Sequence, residues 1–389
     1  MRSLAICASH PIQYQAPLFR ELAKGLDVTV FFAHRATPDD QSRAGFGVEF
    51  DWDVDLLSGY PHQFLGNAAR DPGLHHFAGC DTPQIREEFA RRRFDGLMVM
   101  GWHLKCFWQA VWAAKRSGVP VMVRGDSKLG TPRTVFKRAA KILAYPLALR
   151  AFDVGLYVGQ ESRRYWEHYL YPRRRLVFSP HCIDTDWFAE HATQAAGSAL
   201  RAEHGIGPDE KVVLFAGRLV PLKRPLDLVA AAGRLKEQGR PLTLLVAGSG
   251  PLGEAMGAAA DHEGVKIVQL GFCNQTQMPA VYAAADMLVL PSNGAETWGL
   301  VANEALAAGC PVIVSSACGC APDLVGDGEA GRWFEAGDIA ALAERIASLM
   351  DRPPSKTVIA KRAGRYSVAL AAAGVHEALD LVAARGGRA

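Results

Sequence analysis

The sequence contains no Cys-x-x-Cys pair. Its eight cysteines, at 7, 80, 106, 182, 273, 310, 318 and 320, are scattered, which argues against a zinc site and against a disulfide framework. Several stand in apolar runs, where cysteine serves as a small buried hydrophobe. A reducing, cytoplasmic setting suits such a chain. Strong net charge is missing too, since 43 Lys and Arg oppose 40 Asp and Glu for a net +3. No nucleic-acid partner is expected. No apolar run approaches the roughly 18 residues of a membrane span, so none is expected. The start, Met1-Arg-Ser-Leu-Ala-Ile-Cys-Ala-Ser9, has one charge and a short apolar run, but Pro11-Ile-Gln-Tyr14 follows in place of a cleavage region. It reads as a first strand rather than a signal peptide. No internal sequence repeat is visible.

What is present is the composition of an ordinary globular protein, 49% hydrophobic and 21% charged. A length of 389 residues is enough for two domains or one large one, with ample chain for two cores. The small net charge hides an asymmetry. Residues 1–185 hold 25 Lys and Arg against 18 Asp and Glu, whereas residues 186–389 hold 18 against 22. The first half is therefore the better face for an anionic partner or an anionic membrane surface. The excess is concentrated in residues 124–175, with twelve cations and four acids. There, Arg133 to Leu147 mixes cations with Val135, Phe136, Ile142, Leu143 and Tyr145. Such a segment lies on an anionic membrane or is a solvated helix with an ordinary buried face.

Strand-like runs at 4–8, 28–33, 97–100, 119–123 and 154–158 alternate with helical stretches such as 15–25 and 107–116. Strands alternating with helices predict a parallel, doubly wound sheet. Residues 46–55 break the rhythm: Phe46, Val48, Phe50, Trp52 and Val54 alternate with mostly polar residues, as in a half-exposed strand. The rhythm starts again at 211–216, with a helix at 227–239 and strands at 242–247, 265–270 and 287–290. Two Rossmann-like domains in tandem fit this count. The join is expected near 184–209, where Ala192-Thr-Gln-Ala-Ala-Gly-Ser198 looks loose. A last helix, about 368–385, comes after the second sheet is complete, and the tail 385–389 is expected to fray.

The chain is organised around residues 293–315. Asn293-Gly294 marks a break, and 300–308 is rich in Leu and Ala. Gly309 stands where a glycine ends a helix, Pro311 follows, and Val312, Ile313 and Val314 read as a buried strand. Glu296 precedes this helix and Glu304 lies inside it, with seven residues between them. Glu304 shares a face with Val301 and Ala308, where an unpaired carboxylate costs several kcal/mol on burial. Hydroxyl donors from a ligand would remove that cost. The alternative is a solvated helical Glu, with Glu296 serving the helix N-terminus.

Two further motifs follow strands of the second half. In Phe215-Ala-Gly-Arg-Leu-Val-Pro-Leu-Lys-Arg-Pro225, Gly217 lets backbone approach a ligand. Arg218 and Lys223 lie near the strand's carboxyl end, where open α/β sheets bind ligands. A planar fork and a point charge suit a diphosphate. Val246-Ala-Gly-Ser-Gly-Pro-Leu-Gly253 is a formal G-x-G-x-x-G, but no acidic residue ends the next strand, so a dinucleotide site is disfavoured.

Glu296-Thr-Trp-Gly-Leu-Val-Ala-Asn-Glu304 resembles the E-x7-E signature of the family-4 retaining glycosyltransferases of GT-B architecture. The Gly217-Arg218…Lys223 arrangement and the loop Gly248-Ser249-Gly250-Pro251 resemble that family as well. The resemblance is strong over about 211–315 and thinner over 1–190. It implies two facing Rossmann-like domains, an acceptor domain over 1–188 and a nucleotide-sugar domain over 189–367, with 368–389 crossing back to the first. It implies that Glu304 holds the ribose hydroxyls and that Glu296 sits beside the donor sugar. Arg218 and Lys223 would contact the diphosphate. The helix start over Thr297, Trp298, Gly299, Leu300 and Val301, with Gly217, Gly248, Ser249 and Gly250, would line the donor site. No cofactor and no metal are expected. Asp51-Trp-Asp-Val-Asp55 mimics the metal motif of the other glycosyltransferase architecture, but reads better as a solvated strand face.

On the acceptor side His10, Gln13 and His103 follow first-half strands. Asp126 stands near where many family members have a His, so no family role carries over to it. A carboxylate there suits an acceptor hydroxyl or a cationic transition state, or caps a helix. The implied reaction is transfer of a sugar from a nucleotide diphosphate to a hydroxyl of a glycan or lipid-linked acceptor, at the inner face of a membrane or free of it. The rivals are an epimerase-like nucleotide-sugar enzyme and a non-catalytic nucleotide-sugar-binding protein.

Overall fold

A computed structural model of the chain describes residues 1–42, 48–130 and 134–386. The first sheet holds β1 (Ser3–Ala8), β2 (Asp27–Phe32), β3 (His62–Phe64), β4 (Gly96–Val99), β5 (Val121–Gly125), β6 (Val154–Tyr157) and β7 (Leu176–Phe178). Their spatial order is β3-β2-β1-β4-β5-β6-β7, with every pairing parallel. The second sheet holds β8 (Val212–Ala216), β9 (Thr243–Ala247), β10 (Lys266–Gly271), β11 (Met287–Leu290), β12 (Val312–Ser315) and β13 (Gly331–Phe334). Its order is β10-β9-β8-β11-β12-β13, again all parallel.

Helices cover both faces of each sheet, so the central strands are apolar throughout. Leu4 to Ala8, Val212 to Ala216 and Met287 to Leu290 are all buried. In both sheets the strand order reverses beside the first strand, at β1/β4 and at β8/β11. Open α/β sheets bind ligands in the crevice outside the strands' carboxyl ends at such a reversal. The two sheets therefore supply two candidate crevices.

The last helix, Val368–Gly386, packs on the first sheet. Ala371, Val375, Ala378 and Leu379 are buried with Leu4, Met98 and Val154. Gly374 permits the approach, because a Cβ there would stand 2.0 Å from the Phe178 carbonyl oxygen. Residues 356–384 are the one stretch, among those described, long and apolar enough to cross a membrane. That qualifies the expectation of none, which rested on unbroken apolar runs. The stretch is two helices, Lys356–Gly364 and Val368–Gly386, and the second has its apolar stripe in the core of the first domain.

Two local expectations are corrected. Residues 194–198, read as loose, begin the helix Gln194–Glu203, capped by the Thr193 hydroxyl accepting from Ala196 N. Residues 48–55 form no strand. Part of the apolar pattern is used against the other domain instead: the Phe50 and Phe272 rings lie 4.3 Å apart. Phe46 and residues 387–389 of the tail expected to fray over 385–389 lie outside the described residues.

Candidate functional site

The loops after β8, β9 and β11 meet at the second sheet's reversal point, joined by the loop after the edge strand β10. Two of them press backbone on backbone. A Cβ on Gly248 would lie 1.9 Å from the Gly217 carbonyl oxygen, and one on Gly250 would lie 2.6 Å from the Leu219 carbonyl oxygen. Both glycines have φ near 150°. The G-x-G spacing therefore serves the fit of one loop against its neighbour, and only glycine allows it.

A cavity of 410 Å³ opens above these loops. Glu296, Glu304, Arg218 and Lys223 all line it. Gly217, Gly248, Ser249, Gly299, Leu300 and Val301 line it too, and so does Gln13 from the first domain. Lys223 is ion-paired with Glu296, both nearly buried, and Ser292 Oγ donates to the same carboxylate oxygen at 3.1 Å. A partly desolvated pair holds a cation beside a carboxylate at the crevice. Glu304 sits on the helix Val301–Ala307 and accepts a hydrogen bond from Tyr282 Oη at 2.7 Å. Desolvation pushes its carboxyl up to about 7, against the pull of the Tyr282 hydroxyl. The site thus contains an acid that gains from polar donors, next to cations and the open amino end of a helix.

Other expected site residues are placed elsewhere. Trp298 is 3% exposed and donates its indole N–H to Asn303 Oδ1 at 2.8 Å. It packs over Gly159, where a Cβ would be 2.3 Å from the ring, so it fastens the two domains and does not line the cavity. Gly250 fills its loop-packing role behind the cavity. Asp126 accepts from Thr297 Oγ1 at 2.7 Å across the interface; neither residue lines the cavity, though Asp126 acts electrostatically on cavity-lining Tyr14 and on His103. Lys128 Nζ donates to the Ala317 carbonyl, and Gln160 N donates to Asp323 Oδ2 at 3.0 Å, adding to the clasp.

His10 and His103 follow β1 and β4, at the first sheet's reversal point. His10 accepts from or donates to Ser9 Oγ at 3.0 Å. Burial, reinforced by His34, pushes its ring down to about 4, so it is neutral at pH 7. Burial lowers His103 as well. Neither lines the cavity. The Asp51–Asp55 run is also redefined. The Asp51 carbonyl accepts from Asn274 Nδ2, Asp53 accepts from Thr276, and Asp55 accepts from Leu57 N and Ser58 N. All three acids are exposed, as a solvated face requires, but on a loop in place of a strand; of their carboxylates only that of Asp53 bonds to the second domain.

No motif pointed to Trp52, Phe188, Phe272, Gln275 or Met278, which also line the cavity. They come from loops and helices far apart in the chain. Tyr14 also lines it and was within reach, being one residue beyond Gln13 after β1.

Two facing Rossmann-like domains with a crevice between them define the GT-B architecture. Residues 198–366 match the family described as glycosyl transferases group 1. The D-inositol 3-phosphate glycosyltransferase of Mycolicibacterium smegmatis is 36% identical over 181 residues, 44% of this chain and 39% of that protein. The chain spans about two-fifths of the length of the first such relatives. The GDP-mannose-dependent alpha-(1-6)-phosphatidylinositol monomannoside mannosyltransferase of the same organism is 30% identical over 236 residues, 59% and 58% of the two chains. Among solved structures, a glycosyltransferase from Rickettsia africae superposes with a TM-score of 0.75 at 14% identity, covering 98% of this chain and 99% of that one. The Anabaena protein HepE, solved with UDP, gives 0.73 at 19% identity, covering 98% and 100%. At these identities the structures establish the fold alone.

Proposed function

We propose that this chain is a retaining glycosyltransferase of the family-4 type, moving a sugar from a nucleotide diphosphate to a hydroxyl acceptor. The observation that carries the reading is the convergence of Glu304, Arg218, Lys223 and Glu296 in one cavity at the second sheet's reversal point. Glu304 accepts ribose hydroxyls, whose hydrogen bonds restore the solvation its carboxylate lacks. Arg218, Lys223 and the amino end of the helix Val301–Ala307 balance the diphosphate. Their charge is in place before the leaving group develops its own. Glu296, fixed by Lys223 and Ser292, stands beside the transferred sugar. The acceptor attacks from the face that the diphosphate leaves, and the departing phosphate takes its proton. His10 and His103, beside the first sheet's crevice, are neutral partners for an acceptor hydroxyl. No metal is required, because protein cations already supply the positive potential.

The acceptor is a glycan or an anionic, lipid-linked molecule. Two named relatives act on inositol phosphate or a phosphatidylinositol mannoside, and the first half of this chain carries the cationic excess. The helix Val135–Ala148 supports a peripheral station on the inner face of an anionic membrane. Phe136, Leu143 and Leu147 lie on one helical face and are 89%, 83% and 76% exposed. Lys141 and Tyr145 are not part of that face. Lys141 donates to Tyr165 Oη at 3.1 Å and lies over the Tyr145 ring, so both turn toward the domain. Arg133 is outside the described residues.

The test is an assay of the full chain with UDP- and GDP-linked sugars and phosphoinositol or glycolipid acceptors, reading product anomeric configuration by NMR. Transfer with retention is expected. Donor conversion without acceptor would instead indicate an epimerase-like enzyme, and nucleotide binding without turnover a binding protein.

A further inference from the structure

We infer that Trp52, carried across the cleft by residues 50–55 of the first domain, completes a nucleobase subsite whose other walls belong to the second domain. The inference rests on the nucleotide-diphosphate reading given above.

The strand order fixes the direction of such a ligand. From the edge of the second sheet inward, the carboxyl-end loops come in the order 272–275, 248–249, 217–223 and 292–296, after β10, β9, β8 and β11. Arg218, Lys223 and Glu296 occupy the inner end, which is the diphosphate end. A nucleoside diphosphate runs from phosphate through ribose to base, so its base falls toward the loop after β10. There the cavity is lined by Phe272, Cys273, Gln275 and Met278, a surface suited to the flat face of a base. Gln275 Oε1 is buried without a hydrogen-bond partner. An orphan acceptor is costly, and the N–H edge of a base relieves that cost.

Trp52 lines this same cavity from the opposite domain. Its neighbours in sequence do the docking. The Phe50 ring lies 4.3 Å from Phe272 and packs edge-on to Trp52 at 4.9 Å. Asn274 Nδ2 donates to the Asp51 carbonyl at 2.8 Å. Thr276 N donates to Asp53 at 3.2 Å, and its hydroxyl donates to the same carboxylate. Residues 50, 51 and 53 thus grip the loop 272–276, and the residue between them presents an indole to the cavity. Base–aromatic stacking tolerates any base. Trp52 therefore contributes affinity, whereas Gln275 contributes choice among bases.

The experiment measures UDP, GDP and ADP binding to the full chain by calorimetry, with intrinsic tryptophan fluorescence read in parallel. Trp52→Ala is expected to weaken the tightest of the three by about five- to hundredfold with unchanged Tm. Trp52→Phe keeps most of the affinity but loses a component of the fluorescence quench. Asn274→Ala with Thr276→Val, which alters only the grip, weakens binding in the same direction. Gln275→Leu narrows the differences among the three nucleotides. Unchanged affinity in folded Trp52→Ala, or an intact quench in Trp52→Phe, overturns the inference while leaving the donor reading in place. A wild-type protein that binds none of the three overturns the donor reading itself, and this inference with it.

Discussion

Replacing Glu304 by Gln should make the protein more stable at pH 8 and poorer at binding its ligand. The Glu304 carboxyl is held at about 7 by desolvation, with the Tyr282 hydroxyl its hydrogen-bond donor. In the unfolded chain a Glu titrates near 4.5. Between those values the folded protein binds more protons than the unfolded chain, so stability falls as pH rises through the window. The full penalty is present above about pH 7 and amounts to about 3 kcal/mol. Glu304→Gln keeps the shape and removes the charge, so the variant loses this slope. Thermal unfolding from pH 4 to 8 should show the two proteins converging below pH 4.5 and separating by several degrees at pH 8. Calorimetry at pH 8 should show nucleotide binding weakened by about ten- to hundredfold, because a charge-assisted contact is worth about 1.5–3 kcal/mol. At pH 6 the wild type should release a proton on binding, visible as a dependence of the heat on the buffer's ionisation enthalpy. A stability difference that is flat with pH, or equal affinities at pH 8, would refute the reasoning.

Three other outcomes are expected. Lys223→Met leaves Glu296 buried without its cation and should destabilise the fold by about 3–5 kcal/mol; Glu296→Gln should cost much less in the same urea titration while still reducing transfer. Activity should survive exhaustive chelation, and a complete loss restored by Mg²⁺ or Mn²⁺ would return a metal to the site. Phe136→Ser with Leu143→Ser and Leu147→Ser should abolish flotation with anionic liposomes. Replacing Arg133, Lys137 and Arg138 by Gln, or raising salt, should reduce it, with nucleotide affinity unchanged in both sets.

The sequence by itself determined the two-sheet plan and the core of the site. Each strand of a parallel sheet covered by helices is an apolar run that must be buried, so β1, β2, β8 and β12 were visible as runs. Gly217, Gly248 and Gly250 stood out as places for a close approach, which at Gly248 and Gly250 is the approach of neighbouring backbone. Glu296, Glu304, Arg218 and Lys223 were visible because each follows or faces a strand end within one local motif. What lay between distant segments was not visible. Residues 46–55 alternate like a strand, yet 48–55 form a loop in which the Phe50 ring and the Asp53 carboxylate meet the other domain. Trp298 looked like a site residue, but its indole is locked to Asn303, and Asp126 meets Thr297 across the interface. Local pattern records which residues must be buried or bent. Which partner buries them is set by how the two domains face each other, and only the tertiary structure brought Phe50 to Phe272 and Tyr282 to Glu304.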